Sequence, residues 1–399
     1  MLIFPQILFW VFFAGLFHNY VFYPFLLKVL SGKKGKPALT TDESKLPFVS
    51  VLIPVYNEEK VIKEKLESII KQDYPLDKIR VFVASDNSTD KSDSIIKSFA
   101  EKHKHILFYH LNQRNGKPGV VNVMSEKIFE LYPMSNDHII LFTDANVMLE
   151  KSTIRNLCRH FVHPEIAIVD SNKISVGLGT KGISKSENTY LTTETMMKNR
   201  EGLLWGLLIG TFGGCYTLRS TFFEKIPDNF LVDDFFLTMR TLENGGKAIN
   251  DLEALCYEDV SNDIKEEYRR KSRISAGNYQ NLKLFRKHVF PRNKLSFAFF
   301  SHKVLRWIGP FLIIGMFFTC LYLSLYMGFY QLILAGIILI LFVIPLLDFV
   351  LKIMGINFLF FRNIRYFVFM NVALFEGFIK YIKGIKNNVW EPTKRNQYI

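Results

Sequence analysis

Cysteine is scarce in this chain: of 399 residues only Cys158, Cys215, Cys256 and Cys320 carry thiols, and none shows paired or zinc-like spacing. A disulfide framework and a cysteine-ligated zinc module are thereby excluded, and the four read as reduced, packed side chains. His160 and His163 are too few to make up a zinc site. A P-loop is also missing, which removes the commonest nucleotide-hydrolase signature. Acidic residues fall short of basic ones, 37 Asp and Glu against 50 Lys and Arg, for a formal net charge of +13. That surplus alone would fit nucleic acid as a partner. No reading motif accompanies it, however, and the basic clusters border apolar segments, where they would meet anionic lipid headgroups, so no nucleic-acid partner is expected.

Charge is absent from long stretches. Leu2 to Leu30 is nearly uncharged and aromatic-rich, longer than the roughly 20 residues that cross a bilayer. It lacks the charged start and small-residue cleavage site of a secretory signal, so residues 1–30 are expected to be a retained transmembrane helix. The basic linker 31–47, including Lys33, Lys34 and Lys36, is then cytoplasmic by the positive-inside rule. After an interfacial segment at 291–307, residues 308–351 accommodate two further crossings, parted near Tyr326 to Gln331. Asp348 and Lys352 close this hairpin and are expected among lipid headgroups. Within 352–399, Phe358 to Ile382 is flanked by Arg362, Arg365, Lys380, Lys383 and Lys386 and reads as an interfacial or re-entrant helix, leaving the tail Trp390 to Arg395 cytoplasmic. These spans predict an integral protein of the cell (inner) membrane with a cytoplasmic domain at 48–290.

That domain alternates strands and helices. Val49–Ile53, Ile79–Ala84, Ile106–Leu111 and Ile139–Thr143 read as strands, with helical stretches at Glu58–Gln72, Ser92–Lys102 and Gly119–Leu131, which implies an α/β fold with a mainly parallel sheet. In such sheets ligands bind beyond the carboxyl ends of the strands. Polar clusters stand at those ends: Pro54-Val55-Tyr56-Asn57-Glu58-Glu59, Ser85-Asp86-Asn87-Ser88-Thr89-Asp90 and Asp144-Ala145-Asn146. The third strand leads into Arg114-Asn115-Gly116-Lys117, where glycine and lysine before a helix can approach phosphate.

These residues resemble glycosyltransferase family 2, inverting nucleotide-sugar enzymes with a GT-A fold that include membrane polysaccharide synthases of the hyaluronan, chitin and poly-N-acetylglucosamine type. Pro54 to Glu58 looks like the family's first nucleotide motif, Ser85 to Asp90 its second, and Asn115-Gly116-Lys117 with Asn122 its phosphate-side loop. Asp144-Ala145-Asn146 matches the DxD position imperfectly. Val232-Asp233-Asp234-Phe235-Phe236-Leu237 resembles the TED element, and Arg270-Lys271-Ser272-Arg273-Ile274 occupies the place of QxxRW, with Arg270 and Ile274 replacing its glutamine and tryptophan.

By resemblance, Pro54, Tyr56, Glu58, Asp86 and Asp90 would contact base and ribose, and Lys117, Asp144, Arg270 and Arg273 the diphosphate. A departing diphosphate gains negative charge, which Mg²⁺ or Mn²⁺ and basic side chains offset. Asp144 would ligate the metal, with Asn146 offering an oxygen but no charge. An inverting displacement needs a base opposite the leaving group. Asp234 is the candidate, with Asp233 raising its pKa by like-charge repulsion; either acid can alternatively cap a helix, and Asp86 and Asp90 can serve local turn amides. Gly213, Gly214 and Cys215 would bring backbone close to the acceptor, or simply pack tightly. Glu187, Tyr190 and Glu194 share helical spacing and face either the acceptor or solvent. Gly177 to Gly182 fits a dinucleotide pattern on spacing but lacks a following helix.

The resemblance implies transfer of a sugar from a cytoplasmic nucleotide-linked donor, UDP-linked as in that family, to a growing polysaccharide or a lipid-linked acceptor at the membrane, with export coupled to it in synthases of this type. Single-sugar transfer to a polyprenyl or ceramide-like lipid is the alternative within enzymes. A transporter with a nucleotide-binding regulatory domain is the alternative of another class.

Overall fold

The computed structural model describes residues 2–32, 45–177, 184–259, 264–356, 358–385 and 388. The basic run at 33–37, the glycine pattern beyond Gly177 and the tail at 390–395 lie outside the described residues. The chain divides into two units: residues 31–177, 194–261 and 385–399 form one, and residues 1–30, 178–193 and 262–384 the other.

The first unit is built on one mixed sheet of eight strands: β1 Phe48–Val55, β2 Ile79–Ser85, β3 Ile106–His110, β4 His138–Thr143, β5 Val147–Leu149, β6 Ile166–Val176, β7 Cys215–Arg219 and β8 Lys247–Asp259. Their order is β3-β2-β1-β4-β7-β6-β8-β5. β1 pairs in parallel with β2 and β4, so Val55 and Ser85 end at one edge beside the exit of β4. β7 runs antiparallel to β4 and places Cys215 opposite Thr143, so its beginning meets the same edge.

Side-chain periodicity explains the layering. Every residue of β4 is buried, as expected of a near-continuous apolar strand covered on both faces. Val49, Val51, Ile53 and Val55 join Ile62, Leu66, Ile69 and Ile96 of the helices Ile62–Ile70 and Ser92–Lys102 in one core. On alternate residues, Phe82 meets Tyr132 just past the helix Gly116–Leu131 at a ring distance of 6.4 Å, and Phe142 stacks on Tyr216 at 5.0 Å. Helix Gly116–Leu131 begins earlier than its sequence implies because Pro118 is tolerated in a first helical turn, where its missing N–H costs nothing.

The second unit is helical. Ile3–Ser31 and Gly328–Ile353 are long and apolar enough to cross a membrane, and Lys294–Trp307 with Gly309–Ser324 makes a third candidate if counted as one span bent by 63°. The hairpin break falls at Leu325 to Met327, slightly before the expected one. Helix packing relies on small residues: a Cβ on Gly315 would lie 2.6 Å from the Phe12 ring, so the helices Ile3–Phe17 and Gly309–Ser324 approach closely only through glycine. The helix Leu359–Ile382 buries Arg362, Tyr366, Asn371 and Gly377, and Gly377 packs on Ser275 of the helix Ile264–Leu284.

Asp348 corrects the headgroup expectation. It is buried within the helix Ile344–Ile353 and its carboxylate lies 2.7 Å from Nε of Arg365, while Lys352 is exposed. A lone carboxylate inside an apolar bundle is costly, and its guanidinium partner offsets that cost. Removing one partner of such a pair typically costs about 3–5 kcal/mol, whereas an apolar replacement of both is near neutral. Asp348→Leu is therefore expected to lower the thermal midpoint of detergent-solubilised protein sharply, and Asp348→Leu with Arg365→Met to restore most of it. An equal loss in single and double variants would contradict the pairing.

Candidate active site

The polar clusters do converge at the edge formed by β1, β2 and β4. Asp86 follows β2 and is fully buried, its backbone N–H donating to the Val55 carbonyl at 2.8 Å. Its carboxylate accepts from the backbone N–H groups of Asn115 at 2.7 Å and Gly116 at 3.0 Å. Gly116 has φ +72°, a conformation side chains disfavour, so this acid and this glycine together set the entry of helix Gly116–Leu131. Arg114 lies 3.3 Å from Asp86 and its guanidinium covers the Tyr56 ring. Sequence reading omitted Arg114 from the site; its signal was an arginine directly before Asn-Gly-Lys.

Asp90 and Glu59, the acids that end these two clusters, are occupied locally. Asp90 accepts from Ser92 N–H at 2.9 Å and Glu59 N–H at 3.0 Å, the turn role that sequence left open. Glu58 donates its backbone N–H to Ser92 Oγ at 2.9 Å. Asn57 and Asn87 adopt positive φ, 51° and 60°, so both turns depend on a residue that tolerates the left-handed region. Pro54 is buried within β1, opposite Ala84.

Lys117 links the remaining parts. Its Nζ lies 2.6 Å from Asp144 Oδ1 and donates to the Gly213 carbonyl at 2.9 Å. Burial opposes its charge, but Asp144, Asp233 and Asp234 outweigh burial and hold the ammonium firmly protonated. Asp233 and Asp234 open the helix Asp233–Glu243, where Val232 is the capping position and makes no side-chain cap hydrogen bond among the described residues. Neither acid is thus the cap. Burial, then the Asp233 carboxylate, pushes the Asp234 carboxyl up to about 7 against the pull of Lys117.

Gly213 lets the loop lie against this acid: a Cβ there would sit 2.8 Å from the Asp234 carboxyl carbon. On Gly214 it would lie 2.5 Å from the Phe212 ring. Cys215 offers only backbone to this edge, since its side chain is buried in the sheet core. The loop before β7 is anchored by fully buried Asp170, which accepts from Phe212 N–H at 2.8 Å and from Lys198 Nζ at 2.6 Å. Neither Asp170 nor Lys198 was visible as a site residue, because a lysine and an acid far apart in sequence do not announce a pair. The Tyr216 hydroxyl is buried with no hydrogen-bond partner among the described residues, and after burial itself Asp233, Asp234 and Asp144 hold it protonated.

Arg270 and Arg273 belong to the helical unit, on the helix Ile264–Leu284. There Arg270 lies 3.8 Å from both Glu187 and Glu267, and Lys271 approaches the same acids at 3.2 and 3.0 Å. Glu187 is thus buried among cations, not on a solvated helix face, and Tyr190 accepts from Arg306 at 3.0 Å.

As a metal site the edge offers one carboxylate, Asp144, and the Asn146 amide; among the described residues no group of three or more His, Cys, Asp or Glu side chains can hold a metal ion. The set fits a hard divalent cation that draws its other oxygens from phosphate and water, the usual mode for Mg²⁺ at phosphate sites. It does not fit a metal held by protein alone.

Two family models match, Glycosyl transferase family 2 over residues 50–227 and Glycosyl transferase family group 2 over residues 139–368. The chain is 25% identical over 274 residues to the probable glycosyltransferase YdaM of Bacillus subtilis, covering 66% of this chain and 63% of that one. It is 31% identical over 152 residues to the poly(ribitol-phosphate) beta-N-acetylglucosaminyltransferase TarS of Staphylococcus aureus, covering 38% and 25%. The chain therefore spans less than two thirds of the length of these curated relatives. Among solved structures, the mannosyltransferase PcManGT of Pyrobaculum calidifontis, in complex with GDP-Man and Mn²⁺, shares the fold with a TM-score of 0.66 and 19% identity over 94% of this chain and 99% of that one. With the Glycosyl transferase family group 2 model matching more than half of its length, the chain belongs to glycosyl transferase family group 2.

Proposed function

We propose that this protein is an inverting glycosyltransferase of the membrane, moving a sugar from a nucleotide-linked donor to a growing glycan or lipid-linked acceptor. The observation that carries the reading is the meeting of Lys117, Asp144 and Asp234 at one sheet edge. The donor's base would lie against Tyr56, Arg114 and Asp86, and its diphosphate against the amino end of helix Gly116–Leu131, where N–H groups and the helix dipole favour anions. Lys117 would release Asp144 in part and donate to the phosphate oxygens as the glycosidic bond breaks. Mg²⁺ or Mn²⁺ on Asp144 and Asn146 would add charge neutralisation when bound. Asp234, ionised, would take the acceptor hydroxyl's proton as that oxygen attacks the anomeric carbon from the opposite side, inverting the configuration.

The apolar helices support a membrane setting, with residues 48–290 cytoplasmic and the acceptor delivered from lipid or from a nascent chain. A UDP-linked donor follows from the same family resemblance. Transfer of one sugar to a lipid is the second reading, supported by Arg270 and Ile274 standing where processive relatives carry glutamine and tryptophan. The length of the radiolabelled product separates the two.

Asp234→Asn is expected to reduce kcat by about 10²–10⁴-fold with donor affinity retained, the range for a lost general base. Donor binding lost in parallel would refute the role. Because the base acts deprotonated and its pKa is raised to about 7, kcat/KM should climb with pH through about 7 and then level. Stability runs the other way. The folded carboxyl binds its proton more tightly than the unfolded one, so its contribution is present below the unfolded value and lost as pH rises through about 7. Asp234→Asn should therefore raise the thermal midpoint at pH 8 more than at pH 5; a pH-independent change would count against the buried acid.

A further inference from the structure

We propose that Lys65 is a positioning residue for the Asp144–Asn146 corner, its ammonium fastening both ends of the turn that presents the Asp144 carboxylate. The role rests on the sugar-transfer reading of that corner. Lys65 lies in mid-helix Ile62–Ile70 and is fully buried between Ile62, Leu66 and Ile69, which fill the same core. Its Nζ donates to Thr143 Oγ1 at 2.7 Å and to the Val147 carbonyl at 2.5 Å. Thr143 is the last residue of β4 and Val147 the first of β5, and only Asp144, Ala145 and Asn146 lie between them.

One cation therefore ties the residue that enters the turn to the residue that leaves it, reinforcing the turn's own Val147 N–H to Asp144 carbonyl bond of 3.2 Å. Lys117 grips the Asp144 carboxylate directly, while Lys65 holds the flanking residues and is within Coulombic reach. Burying an ammonium is expensive, and an apolar side chain would fill a helix core position at lower cost. Structural packing alone does not call for a lysine there. Fixing a carboxylate does, because misplacing a reacting partner by about 1 Å can cost on the order of 10²-fold in rate.

The test compares full-length Lys65→Met, which keeps the stem and removes the donor, with Ile69→Ala, a core truncation on the same helix that removes no hydrogen bond to the turn. Hydrogen exchange of the peptide spanning 143–147 and steady-state kinetics are read on both. Lys65→Met should accelerate exchange at 143–147 selectively and lower kcat by about 10- to 100-fold, with the donor KM changed by less than about threefold, since the base is held elsewhere. Ile69→Ala should lose thermal stability without that local exchange or that kcat loss. Should Lys65→Met not fold, Lys65→Gln, a shorter and neutral donor, serves the same comparison. The proposal is overturned if the lysine variant leaves exchange at 143–147 unchanged, or if both variants lose kcat alike. Wild-type protein that releases no nucleoside diphosphate from any donor would instead refute the sugar-transfer reading, and the exchange result would still decide whether Lys65 fastens the turn.

Discussion

The ion pair of Lys117 with Asp144 is the contact on which the site depends. At 2.6 Å and half-buried it is a charge-assisted hydrogen bond in a medium that screens less than water. It joins a helix start to a strand end, and its second bond, to the Gly213 carbonyl, adds the loop before β7. Upstream, Asp86 fixes Asn115 and Gly116, so the position of Lys117 is set two residues before it. Downstream, the same ammonium moderates Asp234, where burial and Asp233 nevertheless prevail. A cation placed among three acids holds them at a separation that mutual repulsion would otherwise widen.

Much of this was legible from residue pattern. Continuous apolar runs gave β1, β2 and β4, polar clusters after the strands pointed to Asp86, Lys117 and Asp144, and resemblance to the TED element pointed to Asp234. What was hidden were charges that the fold buries. Lys65 stands on a helix beside Ile62, Leu66 and Ile69, and a lysine is so seldom fully buried that residue pattern gives no sign of it. Asp170 and Lys198 escaped for the same reason. β7 was missed because Cys215 to Arg219 is short and follows two glycines, although its pairing with β4 is what brings Gly213 beside Asp234.

The helical unit teaches the same lesson in apolar surroundings. Asp348 looked like a helix-end charge bound for headgroups because one segment was considered alone, whereas Arg365 on the following helix supplies its partner. Glu187, left open between acceptor and solvent by its helical spacing, is likewise buried against Lys271 and Arg270. Buried charges are conspicuous only in pairs, and pairs across the chain are made by folding. They are also where single substitutions act most strongly, since each leaves a partner uncompensated.

The most direct test is a structure of the protein with Mn²⁺ and the nucleoside diphosphate it binds. The account predicts the base against Tyr56 and Arg114, the terminal phosphate within hydrogen-bond distance of Lys117 Nζ, and the metal on the Asp144 carboxylate, with Asp234 facing the open side. A diphosphate bound away from Lys117, with the Lys117 to Asp144 pair undisturbed, would contradict it.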